Sequence, residues 1–139
     1  MQSWQFDWFD ALCPNFRPRF DPVEVMLVAD CNYYSASVDA LFASVLAHLL
    51  PDGTLFLASH VSRCSLGSFM ERLRLHGGFF LKETVTFTED ESSTGTVATM
   101  GNGFTISRDE AYSDGDKAGG DSDEPIHRLW HFTFMPEGP

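Results

Sequence analysis

The chain has 139 residues, enough for one modest domain that buries roughly two thirds of its unfolded surface and too few for a second full domain. Its composition, 43% hydrophobic and 14% aromatic, excludes wholesale disorder. The net charge of −11 is concentrated: residues 89–124 hold ten acids against Arg108 and Lys117, a net −8 that leaves −3 elsewhere, and so negative a surface repels phosphate, which disfavours nucleic acid and anionic membranes as partners.

In chain order, Trp4, Phe6 and Trp8 alternate with polar residues, the period of a half-buried strand. Pro14, Pro18 and Pro22 then mark a loop, because proline cannot donate to a sheet ladder. Val23 to Ala29 is a short Val-rich run, expected as a strand covered on both faces, and it ends at Asp30. Val38, Leu41, Phe42, Val45, Leu46 and Leu49 draw one stripe down a helix between Ser37 and Leu50, which Pro51-Asp52-Gly53 is expected to stop and turn. Leu55 to Ala58 reads as a second buried strand, and Leu66, Phe69, Met70 and Leu73 repeat the helical spacing up to Gly77-Gly78. Phe79 to Thr88 alternates as a strand with one wet face. Residues 89–127 are too polar and Gly-rich to pack and are expected to be a flexible acidic insertion. Arg128 to Met135 closes the chain as a strand with Trp130, Phe132 and Phe134 on one face.

Strand, helix, strand, helix, strand, long loop, strand is the order of an α/β fold, with parallel pairing across each crossover. The last two strands lack a helix between them and are expected as an antiparallel hairpin at the edge of a mostly parallel sheet.

Three cysteines, Cys13, Cys31 and Cys64, are odd in number and lack CxxC spacing, which suits a reducing compartment. The N-terminus has no basic region followed by an apolar run, and no stretch of 18 apolar residues occurs, so a cytoplasmic protein with no membrane association is expected.

Open α/β sheets carry their chemistry at the carboxyl ends of the strands, which singles out Asp30-Cys31-Asn32-Tyr33-Tyr34. Other chemistries fail on spacing. Cys64 and Arg72 are too far apart for a phosphatase loop, Ser68 lacks the G-x-S-x-G elbow, and Gly101-Asn102-Gly103 has no strand before it and helix after it. His127 and His131 share a strand face but have no third ligand, so no metal site is expected; His60 and His76 carry no pattern, and His48 suits the C-terminal end of its helix.

Together these pieces resemble the C-terminal half of the seven-stranded S-adenosylmethionine-dependent methyltransferases, in the branch that methylates protein lysines. Phe6-Asp7-Trp8 is like the Leu-Asp-Trp that ends the family's third strand, and Leu27 to Tyr33 is like the D-x-x-Y that ends its fourth. Leu55 to Arg63, Phe69 to Phe80 and Arg128 to Phe134 are like its fifth strand, the helix into its sixth strand, and its seventh. The resemblance implies a single partial, Rossmann-like methyltransferase domain over residues 1–139, with strand order 4-5-7-6 in the family's count.

It also implies a protein-lysine methyltransferase with S-adenosylmethionine as cofactor and a protein as substrate or partner. Asp30 would accept the N–H of the substrate amine, Tyr33 would wall the active-site mouth, and Trp8 would lie against the cofactor. Methyl transfer is a displacement in which a deprotonated, aimed amine attacks the sulfonium methyl, so a carboxylate beside an aromatic rim suits it. The family's Gly-rich turn and ribose-binding acid precede the tryptophan, and this chain begins too late to contain either. An incomplete enzyme, weak or inactive alone, is therefore expected; the alternative is a non-catalytic binding or scaffold module derived from the fold. Absence of the family's first strand would also leave the edge at 23–29 unpaired and open to self-association.

Overall fold

The computed structural model describes residues 3–18, 20–31, 34–88, 91–96 and 126–138. Their elements are a short 3-10 helix at Trp8–Leu12, β1 (Val23–Ala29), α1 (Val38–His48), β2 (Leu49–His60), α2 (Leu66–His76), β3 (Phe79–Thr88), β4 (Glu91–Thr96) and β5 (Ile126–Phe134). The strands form one mixed sheet in the order β1-β2-β5-β3-β4, and the fold is α/β.

The register explains which residues make the core. Met26 pairs with Leu55, Leu55 with Phe132 and Phe132 with Leu81, while Val28 pairs with Leu57 and Leu57 with Trp130, so two apolar rows cross the sheet on one face. Val38, Leu41 and Val45 of α1 and Leu66, Phe69, Met70 and Leu73 of α2 close over those rows in a single buried cluster. Both helices therefore lie on the same side. Each arises where the sequence carries its apolar stripe, and α2 ends on Gly77, whose φ of 80° is the left-handed conformation glycine adopts without a Cβ clash.

Four expectations need correction. The sheet is not mostly parallel by pairing, because β5 enters between β2 and β3 and runs antiparallel to both, leaving β1–β2 as the one parallel pair among the described strands. β1 is not covered on both faces: it is the outer strand of the sheet, with Val25 55% and Leu27 74% exposed. Trp4, Phe6 and Trp8 do not form a strand; the segment is irregular up to the 3-10 helix, which Asp7 caps by accepting from the Phe9 amide. Phe6 instead packs its ring against His48, 5.0 Å between centroids. Finally, Pro51-Asp52-Gly53 does not turn the chain out of the sheet. α1 runs directly into β2, and the three residues are taken up as an irregularity between the pairs Val23–Leu49 and Val25–Thr54.

The segment expected as a flexible insertion starts with order: Glu91–Thr96 pairs antiparallel with β3 as an added outer strand. Serine and threonine can supply such a strand without an apolar face, because an edge strand needs only its ladder and a tolerant pleat. Ile126 and His127 belong to β5, and residues 89–90 and 97–125 lie outside the described residues.

Candidate functional site

Asp30 stands where the sequence places it, immediately after β1 and beside the carboxyl end of β2. Its amide donates to the Ala58 carbonyl at 2.7 Å, and its own backbone has turned to a positive φ of 53°. That turn aims the carboxylate at the β2–α2 connection, where Arg63 meets it with two parallel hydrogen bonds, Nε to Oδ1 at 2.7 Å and Nη2 to Oδ2. The fork of guanidinium donors matches a carboxylate in plane, the geometry of a strong charge-assisted pair. The hydrogen bond from Arg63 lowers the Asp30 pKa, partial burial opposes this, and the charge of Arg63 and the backbone amide of His60 add to the lowering. Asp30 is thus held ionised, and its cation is supplied from within the chain.

Around this pair the register brings two more groups that no sequence spacing suggested. His60 and His127 are direct partners across β2 and β5, with ring centroids 4.9 Å apart and planes nearly perpendicular. Ser62 holds the His60 ring through Nδ1, donating its amide at 3.1 Å with its hydroxyl 2.5 Å away. Burial, with the positive charges of His127 and Arg63, lowers the His60 pKa. Residues 60 and 127 are far apart in sequence, so only the strand register could have revealed this pair. Likewise Arg63 lies 33 residues from Asp30, beyond any local motif.

Trp8 is partly buried against the core cluster. It lines a half-open cavity of about 190 Å³ together with Met26, Val28, Cys31 and Leu41, so the residue after Asp30 and the tryptophan share one wall. Burial raises the Cys31 thiol pKa, and the negative Asp30 adds to the rise, which leaves it a poor nucleophile. At the far end two polar groups bond within α1, while His48 Nε2 is buried with no hydrogen-bond partner. Ser44 Oγ donates to the Ala40 carbonyl at 2.8 Å, and His48 Nδ1 to the Ser44 carbonyl at 2.8 Å in the last turn of α1. Tyr33 lies outside the described residues. None of the three cysteines forms a disulfide.

The residues present do not fit a whole S-adenosylmethionine. The cavity is smaller than the roughly 300–1,000 Å³ that cofactor-sized ligands fill. Its lining is mainly apolar, and no carboxylate of the lining is available to a ribose. Apolar walls that could meet a flat ring are present, and partners for the charged end are not among the lining residues.

No protein-family model matches the chain, and no curated protein and no solved structure matches it. No helix among the described residues is long and apolar enough to cross a membrane.

Proposed function

We propose that the chain is a partial methyltransferase domain of the S-adenosylmethionine-dependent, protein-lysine type, carrying the substrate-facing part of the site and taking up cofactor weakly or not at all by itself. The observation that carries this reading is the placement of β5, a reversed strand lying between β2 and β3, with β1 outside β2. Counted as the family counts, that order is 4-5-7-6. The two helices on one face and Asp30 at the carboxyl end of a parallel pair agree with it. In this reading Asp30 accepts an N–H of the lysine side chain and fixes the direction of its lone pair, and the protein substrate approaches over the end of β1. Cofactor contacts that the described residues lack come from polypeptide outside them.

The test is calorimetric. The isolated chain should give no saturable heat with millimolar S-adenosylmethionine, and a micromolar dissociation constant would show that the site is complete. In a form that is active, Asp30→Ala should lower turnover far more than it weakens cofactor binding; equal losses would make Asp30 structural.

One observation favours a second reading, a non-catalytic binding module built on the same scaffold. Both oxygens of Asp30 are engaged by Arg63. A module that has given up catalysis would keep such a pair as a brace between the end of β1 and the β2–α2 connection. Absence of methyl transfer from a form that binds S-adenosylmethionine tightly would decide for it.

A further inference from the structure

The cross-strand histidines at the end of the sheet lie outside the roles assigned to Asp30 and Trp8. His127 is exposed, and His60 is partly buried beside it. Two imidazoles that share one octahedral or tetrahedral ion, with metal–nitrogen distances of about 2.0–2.1 Å, have ring centroids about 4.5–5.2 Å apart. The observed separation is 4.9 Å.

We propose that His60 and His127 form a two-imidazole chelate for a divalent first-row transition ion, a site open to solvent at its remaining positions. Among the described residues no group of three or more His, Cys, Asp or Glu side chains gathers to hold an ion, so the other ligands are water or an incoming donor. This makes the site exchangeable, unlike the closed four-ligand structural kind. Nitrogen ligands set the class of ion: imidazole suits nickel, copper and zinc, and does not suit magnesium or calcium.

The ring of His60 is held in position, though binding requires a change of tautomer. Ser62 occupies Nδ1, which leaves Nε2 as the ligating atom. On binding, the ring hydrogen moves from Nε2 to Nδ1 and is donated to Ser62 Oγ, 2.5 Å away, in place of the bond from the Ser62 amide. No proton leaves the neutral ring, and an anchored ring nitrogen of this kind fixes orientation as outer-shell partners of metal histidines do. The nearby Asp30 and Arg63 charges largely cancel as a pair, so ligation and not the local field holds the ion. His131, on the same face, is engaged elsewhere, stacked on Phe56 at 4.7 Å and facing Glu83 at 3.5 Å.

The experiment is a titration of the tag-free chain with nickel chloride in a non-coordinating buffer, followed by the imidazole signals in nuclear magnetic resonance. Saturable one-to-one binding with a dissociation constant on the order of 10–100 µM is expected, with the His60 and His127 rings broadened first. His60→Gln and His127→Gln should each weaken binding about tenfold or more while His131→Gln leaves it unchanged, with melting curves confirming that all three variants fold. Unchanged affinity in either of the first two variants, broadening that starts elsewhere, or no saturable binding at millimolar nickel would overturn the proposal.

Discussion

Asp30 combines a positive φ of 53° with a charge paired to Arg63. Asparagine tolerates a positive φ and alanine does not, so Asp30→Asn should lower stability by no more than about 1 kcal/mol, whereas Asp30→Ala should lower it by an added 1 kcal/mol or so in urea unfolding. The ion pair itself is worth little, because Arg63 and Asp30 are 35% and 38% exposed and solvent screens them. Its pH dependence has a definite sign. A carboxyl whose folded pKa lies below its unfolded value contributes above the unfolded value, near 3.8 for Asp30, and loses that contribution as the pH falls through the lowered folded pKa. Arg63→Gln should therefore raise the Asp30 titration in carboxyl carbon spectra toward 3.8 and flatten the acid limb of the stability curve, and an unmoved titration would show that Arg63 is not its cause. The position of Asp30 was legible from the end of an apolar run. Its partner was not, since nothing local couples residue 30 to residue 63.

At the scale of elements, α1, α2, β3 and β5 were readable because each carries its own apolar period. What tertiary packing decides was not readable. Trp4, Phe6 and Trp8 alternate like a strand, yet Trp4 is 57% exposed and Phe6 turns to His48, so the period had no sheet to serve. β4 was hidden because an edge strand of serine and threonine looks like a loop. The Pro51-Asp52-Gly53 stretch looked like a turn, and the sheet absorbed it. Gly53 is the residue that lets this happen. A Cβ there would lie 2.7 Å from the Leu50 carbonyl oxygen and 3.1 Å from that of Glu24, backbone atoms that cannot swing aside. Gly53→Ala should accordingly cost about 1–3 kcal/mol, visible as a melting temperature several degrees lower. No change would mean that β1 and β2 separate there at no penalty. Trp130 is fully buried on the helix-covered face, so Trp130→Ala should cost about 3–5 kcal/mol, visible as a melting temperature lower by roughly 10–20 °C.

Across the whole molecule, α1 and α2 cover one face of the sheet, and no helix among the described residues covers the other. Val25, Leu27 and Phe87 are exposed on that second face, and beside it β1 presents the outer edge of the sheet. An apolar face next to an edge that no described strand pairs favours association. Light scattering of the isolated chain should show oligomers at micromolar concentration, and Leu27→Lys should reduce them by adding charge to an exposed strand position. A clean monomer with slow amide exchange from Val25 to Val28 would show instead that the edge is covered within the chain. Under the proposed partial-domain reading, the edge and the face would be where further strands and helices pack. The most direct test is S-adenosylmethionine calorimetry on the chain assembled one-to-one with the N-terminal half, through the third strand, of a lysine methyltransferase of this class. Saturable one-to-one binding by the pair, with no heat from either half alone, is the expected result; a stable one-to-one pair that takes up no cofactor would contradict it.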